Sequence, residues 1–341
     1  MEETPFVKEK VLTHYKEIKE IIRGEFPYPR TVHFFISERC NHTCVGCHSL
    51  DLHKEEKPFL NLEIFKSLLN QVKDKGVEGV EISGGGEPLM HPKIEEVIRH
   101  ASKSGLKVGL FTNAILFNEK NAKNILENCF FIRIAFDASN NEEYEKIHQK
   151  NDYEKLLKNI ELLVKIKNNY NLKTIIGLKV LVSKINYKNI LEMSKKAKQL
   201  NVDYIQFKCL RNNENEINKE ELSIAKKLLA KSKKLSNKDF KVYSSLEKTH
   251  IRNQCFTNPL HTLINSNGDV HLCVFFNHIK TPSIGNIYTQ SFDDIWNSKK
   301  HKKIIKMPDL KLCNIYDCPF HQYNNYAKDL ILDNKMHLEF I

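Results

Sequence analysis

The stretch TVHFFISERCNHTCVGC, residues 31–47, holds the pattern on which the fold reading turns. Thr31–Ser37 (TVHFFIS) is a strand-like run rich in β-branched and aromatic residues. It leads directly into Cys40, Cys44 and Cys47, spaced CxxxCxxC. Downstream, strand-like runs alternate with helical periodicity. Helix Leu62–Lys75 precedes strand Gly79–Ser83, and helix Lys93–Lys103 precedes strand Lys107–Thr112. Helix Glu119–Glu127 leads to strand Phe130–Phe136, and two helical patterns, Glu142–His148 and Tyr153–Lys167, lead to strand Thr174–Val182. Helix Lys188–Leu200, strand Tyr204–Lys208 and helix Lys219–Leu235 complete the series. Six βα units imply a parallel sheet with helices outside, an α/β partial (β/α)6 barrel, with functional groups at the C-terminal strand ends.

The alternation stops after about Asp239. Short β-like pieces near Leu263–Ile264 and Val270–Phe276 are punctuated by Asn267-Gly268 and Gly285-Asn286. This predicts an N-terminal helical extension (1–30), a core domain (31–238) and a small loop-rich C-terminal domain (239–341).

Of the 341 residues, 41% are hydrophobic, enough for a sizeable core. The formal charge is +11, but the lysines fall on amphipathic helical stretches such as Lys195, Lys196 and Lys198. No basic stretch is interleaved with aromatics, so a nucleic-acid partner is not the expectation. The N-terminus has no basic start followed by an apolar run, and no segment is apolar enough to span a bilayer. The expected setting is the cytoplasm, away from membranes. There the nine cysteines stay reduced, and clustered ones read as metal ligands or catalytic groups.

Three thiolates in one loop can hold one face of an iron–sulfur cube and leave an iron open to a further ligand. The alternative is zinc completed by His42, His48 or His53, but zinc favours paired CxxC spacing and four ligands. The second strand ends in Ser83-Gly84-Gly85-Gly86-Glu87-Pro88. Consecutive glycines there let backbone approach a ligand, and Glu87 can pair with an ammonium. A plain turn would use the same glycines.

Together, CxxxCxxC after the first strand and GGGEP after the second resemble the radical S-adenosylmethionine (SAM) superfamily, over roughly Thr31 to Lys208. The resemblance implies a [4Fe–4S] cluster on Cys40, Cys44 and Cys47, with SAM chelating its fourth iron. It places Gly85, Gly86 and Glu87 beside the methionine amine. Thr112-Asn113 looks like the family's TN pair, and the segment ending at Asp137 looks like its fourth strand. Ala135 stands where the family often has Ser, and Val45 where it often has an aromatic. Lys179 is a candidate partner for the SAM carboxylate, or an ordinary strand lysine.

Cys255, Gly268, Cys273, the segment Gly285-Asn286-Ile287, Trp296, Cys313 and Cys318 resemble the SPASM and twitch extensions of the same family. Four thiolates, Cys255, Cys273, Cys313 and Cys318, imply one auxiliary [4Fe–4S] cluster. His261, His271, His278 and His321 are available substitutes for a cysteine. Cys129 and Cys209 read as buried thiols, and Trp296 as a packing anchor.

By this resemblance the chain is an oxidoreductase or epimerase that forms a 5′-deoxyadenosyl radical and takes hydrogen from a substrate carbon. Its electron donor would be flavodoxin or ferredoxin. An epimerase would need a thiol donor, for which Cys209 is the candidate catalytic residue. With about thirty residues before the first strand, the expected substrate is a carbohydrate-like small molecule. A ribosomal peptide or protein is the alternative substrate. A zinc-binding, nucleic-acid-binding module without activity is the alternative of another class.

Overall fold

The computed structural model describes residues 8–53, 58–211, 213–248, 255–274, 282–305, 318 and 320–331. Strands β1 (Thr31–Phe35), β2 (Gly79–Ser83), β3 (Lys107–Thr112), β4 (Phe131–Ala135), β5 (Ile175–Val182) and β6 (Tyr204–Cys209) pair in parallel in chain order. After α1 (Tyr15–Ile22) come the crossover helices α2 (Leu62–Asp74), α3 (Ile94–Lys103), α4 (Glu119–Asn128), α5 (Asn141–His148), α6 (Tyr153–Asn169), α7 (Ile190–Gln199) and α8 (Lys219–Lys233). They are the helices that the periodicity predicts. Each boundary has a local cause where a cap is present. Asn61, Asn118 and Asn218 accept backbone N–H groups at the starts of α2, α4 and α8.

The strands have two faces of different chemistry. Val32, Phe34, Val80, Ile82, Val108, Leu110, Ile132 and Ile134 point one way and are buried in one core with the apolar stripes of the helices. The alternate positions, His33, Glu81, Phe111, Arg133 and Lys179, look into the concave face. There His33 Nδ1 meets Glu81 at 2.9 Å. Arg133 lies over the rings of Phe111 and Phe131 and donates from Nε to the Tyr204 hydroxyl at 3.0 Å. Gly177 leaves room for that tyrosine, since a Cβ there would lie 2.0 Å from its ring.

The sheet does not close into a full barrel. It continues past residue 238 with β7 (Lys241–Ser245), parallel to β6. At the other edge, β8 (His261–Ile264) pairs in parallel with β1 and turns through Gly268 into antiparallel β9 (Asp269–His271), which pairs with β10 (Gly285–Asn286). The segment read as a loop-rich appendage thus carries the core sheet onward. An open barrel leaves the N–H and C=O groups of β1 unpaired, and β8 satisfies them. Two short helices follow, α9 (Phe292–Asn297) and α10 (Lys299–Ile304). Trp296 of α9 is buried, stacks on Phe292, and donates from Nε1 to the Pro27 carbonyl at 2.9 Å. The C-terminal helix α11 (His321–Ile331) packs Tyr323 and Tyr326 against Val11 and Ile18 of the N-terminal segment. No helix among the described residues is long and apolar enough to cross a membrane.

Candidate active site

At the C-terminal ends of β1 to β5 lies a cavity of about 280 Å³. It is lined by Cys40, Cys44 and Cys47 on one side and by Glu87, Asn113, Asp137 and Lys179 on the other. The three cysteines are half-buried. Burial pushes the Cys40 thiol up to about 11 and raises those of Cys44 and Cys47, Cys44 further through the charges of Cys47 and Cys40. Thiolates buried this way need a cationic centre to hold them ionised.

The donor geometry fits a cluster better than a single zinc. Among the described residues, the one trio of ligand atoms within 4.8 Å of one another is His42, Cys44 and His148, not the three cysteines. A tetrahedral zinc, with Zn–S near ~2.3 Å, would need its sulfurs within about 4 Å of each other. His42 is already engaged, with Nδ1 facing the Asn113 amide at 3.4 Å and Nε2 facing Asp152 at 3.3 Å. His53 Nε2 contacts the Gly85 carbonyl. Three thiolates around one cavity, not all within 4.8 Å of one another, fit a cubane, whose irons stand on different corners.

The glycine run has a structural reason beyond ligand approach. Gly86 N–H donates to the Ser37 carbonyl at 3.0 Å and Glu87 N–H to the Arg39 carbonyl at 2.8 Å. A Cβ on Gly86 would sit 2.1 Å from the Arg39 oxygen. The glycines therefore dock this turn onto the segment leading to Cys40. Gly84 and Gly86 reach the cavity; Gly85 does not line it and instead faces Glu38 and Phe35.

Glu87 is 3% exposed and is not a bare carboxylate. Its Oε1 accepts from Thr112 Oγ1 at 2.6 Å and from Leu89 N–H at 3.0 Å, and its Oε2 from Asn113 N–H at 2.7 Å. Even so, burial pushes its carboxyl up to about 7. Asn113 in turn donates to Asn41 at 2.8 Å, tying the end of β3 to the cysteine loop. Asp137, at a left-handed φ of 43°, accepts from Leu181 N–H at 2.6 Å, while its own carbonyl accepts from Asn186 at 2.7 Å. Burial raises its carboxyl to about 6. Lys179 is paired in register with Ala135, and both line the cavity. Burial, with Lys208 and Arg133 adding to it, brings the lysine down to about 8. No acceptor among the described residues hydrogen-bonds its ammonium.

Residues 34–181 match the family model described as the radical SAM superfamily, and residues 255–319 match the SPASM model, an iron–sulfur cluster-binding domain. The chain belongs to the radical SAM superfamily. It is 24% identical to the antilisterial bacteriocin subtilosin biosynthesis protein AlbA of Bacillus subtilis over 328 residues, covering 92% of this chain and 70% of AlbA. A GTP 3′,8-cyclase from Synechocystis is 25% identical over 172 residues, 50% of this chain and 51% of that protein. Among solved structures, Streptococcus suis SuiB bound to its precursor peptide SuiA has a TM-score of 0.69 at 16% identity, covering 98% of this chain and 80% of that one. Native anSMEcpe with bound AdoMet and the Cp18Cys peptide has a TM-score of 0.60 at 17% identity, covering 89% and 98%.

A radical SAM enzyme with a SPASM extension carries a [4Fe–4S] cluster that binds SAM and a further cluster in the extension. Of the cysteines expected in the extension, Cys255 is half-buried while Cys273 and Cys318 are buried. Cys313 lies outside the described residues, as does His278. His261 is buried and stacks on Phe320 at 3.9 Å; among the described residues its Nδ1 and both ring nitrogens of His271 have no hydrogen-bond partner. His321 Nδ1 faces the Cys318 carbonyl at 3.0 Å.

Cys209 is not brought to the cavity. In register it pairs with Val182, whereas Lys208 pairs with the cavity-lining Leu181, so the period-two alternation turns Cys209 toward the opposite face. Its Sγ is buried and donates to the Leu246 carbonyl at 3.4 Å. A thiol donor to substrate is therefore not placed there. Conversely, the sequence reading missed Arg133 and His148 as site residues, both of which line the cavity. Arg133 was findable, because it is the one charged residue in the otherwise apolar strand run FIRIAF, and a charge inside such a run marks a wet face.

Proposed function

We propose that this radical SAM enzyme is an oxidoreductase that matures a ribosomal peptide or protein. The observation that carries this is the match to AlbA, which runs along 92% of the chain and so includes the C-terminal extension. The cyclase match covers half of the chain, the share expected from common cofactor chemistry. SuiB and anSMEcpe, which share the fold, are each solved with a peptide bound, whereas BtrN, solved with AdoMet and 2-DOIA, has a TM-score of 0.50. These comparisons support a peptide over the carbohydrate-like molecule expected from the sequence.

In this reading Cys40, Cys44 and Cys47 hold the SAM-binding cluster. Bound there, cluster and SAM supply a 5′-deoxyadenosyl radical able to take hydrogen from an unactivated carbon. Gly86 and Glu87 face the methionine ammonium, with Glu87 held by Thr112 and Asn113. Gly85 keeps the turn in place. Lys179 takes the carboxylate, and its partner position on β4, Ala135, offers no hydroxyl to do so. Asp137 holds the ends of β4 and β5 together. Cys255, Cys273, Cys313 and Cys318 ligate the auxiliary cluster, a fit acceptor for the second electron of an oxidation. A flavodoxin or ferredoxin supplies the first electron.

The test is anaerobic coexpression with the short peptides encoded beside its gene, followed by mass spectrometry. A loss of about two hydrogens from one peptide, dependent on Cys44, is the expected result. Unchanged peptides, together with turnover of a sugar or aminocyclitol panel and label transfer into 5′-deoxyadenosine, would overturn the reading.

A further inference from the structure

We propose that His148 is a positioning residue for the SAM-binding cluster, donating a hydrogen bond from Nδ1–H to the Cys44 thiolate and so setting the cluster's reduction potential. The inference rests on Cys44 being a ligand of that cluster.

Helix α5 ends at His148, where Gln149 takes a left-handed φ of 57° and stops it. That end grips the cysteine loop twice. The Ile147 carbonyl accepts from Val45 N–H at 2.7 Å, and His148 Nδ1 lies 3.1 Å from Cys44 Sγ. The ring is 3% exposed and packs against two others, with its centroid 4.2 Å from that of Tyr144 and 5.4 Å from that of His42. Its Nε2 lies 3.6 Å from Asp137 Oδ2. A ring so enclosed has little freedom to turn away from the sulfur. A cluster ligand is a thiolate, which accepts hydrogen bonds and donates none. The 3.1 Å contact is attractive only when Nδ1 carries the proton. Reduction adds negative charge to the cluster, so an N–H directed at one of its sulfurs favours the reduced state and raises the potential.

The experiment is a redox titration followed by electron paramagnetic resonance on the anaerobically reconstituted protein. The signal that changes on SAM addition identifies the relevant cluster. His148→Phe fills the ring's space without a donor; His148→Asn keeps an N–H near the Nδ1 position. The expected result is a midpoint shifted to more negative potential in His148→Phe and nearly unshifted in His148→Asn, at equal iron content. An unshifted His148→Phe midpoint, or an equal shift in both variants, overturns the proposal. A role limited to folding would lower iron content without moving the midpoint of the clusters that remain. Should His148→Phe lose its cluster, the unmodified protein decides by electron–nuclear double resonance. A proton coupling that exchanges in D2O and persists in His148→Asn supports the proposal. Its absence, or a nitrogen coupling of the strength of direct ligation, overturns it. Cys44→Ala should abolish the SAM-responsive signal. If the signal persists, the ligand assignment has failed and the inference falls with it.

Discussion

Replacing Glu87 by Gln should flatten the pH dependence of SAM binding. In the free protein the Glu87 carboxyl is raised from 4.5 to about 7 by burial. As a raised acid it holds its proton longer in the folded state than in the unfolded chain. Its contribution to stability is therefore full below pH 4.5 and is lost as pH climbs to about 7. At about 1.4 kcal/mol per pH unit, that loss is on the order of 3 kcal/mol. A cofactor ammonium beside the carboxylate would offset it, which links binding to deprotonation. Below pH 7 each SAM bound must then displace a proton from Glu87, so Kd should rise roughly tenfold between pH 8 and pH 6. The glutamine of the variant has no such proton, and its amide also leaves one of the Glu87 acceptor sites facing an N–H. That costs roughly 1–3 kcal/mol, independent of pH. Asp137 and Lys179 titrate in both proteins, so the ratio of the two Kd values isolates Glu87. The assay is equilibrium dialysis of labelled SAM against the reconstituted protein from pH 6 to pH 8. A ratio that is constant with pH refutes the reasoning.

The close approach of Gly86 to the Arg39 carbonyl makes Gly86→Ala a backbone clash, with an expected cost of ~1–3 kcal/mol or more and a lowered Tm by calorimetry. Cys209→Ala should leave 5′-deoxyadenosine formation unchanged in a chromatographic assay, because its sulfur lies on the face of β6 turned from the cavity. Removing Cys40, Cys44 and Cys47 together should lower iron by about four per chain in anaerobic iron and sulfide analysis. Lys179→Gln should weaken SAM binding, and the loss should shrink above about pH 8, where the wild-type lysine itself gives up its proton.

Much of the fold is legible in the residues themselves. TVHFFIS, GVEIS and KVGLFT are strands, and the helices between them follow their apolar periodicity. The cysteine spacing and GGGEP mark the site because both are local. What stayed hidden is non-local. That β8 would pair with β1 depends on an open barrel leaving that edge bare, which no short window records. His148 looks like any residue at the end of an amphipathic helix until the fold places it against a loop 104 positions earlier. The glycine run has a second reason that its own sequence does not show. Its contacts with Ser37 and Arg39 are backbone contacts, and they leave no signature in the partner segment. Cys209 misled because a one-residue shift along a strand reverses the face, and the strand's last residue is where the pattern has least support.

The pairing of Thr31 with His261 has a consequence in time. During synthesis β1 emerges early and finds β2 within seconds, but its other edge waits for a strand some 230 residues further along. At 5–20 residues per second, the ribosome leaves that edge uncovered for roughly 10–50 s. The strand that leads into the three cluster cysteines is thus the last of β1 to β6 to gain both neighbours. A nascent chain has that interval in which to mispair there with another copy. Expression conditions that shorten it, or a chaperone that shields it, should raise the yield of cluster-competent protein more than added iron does.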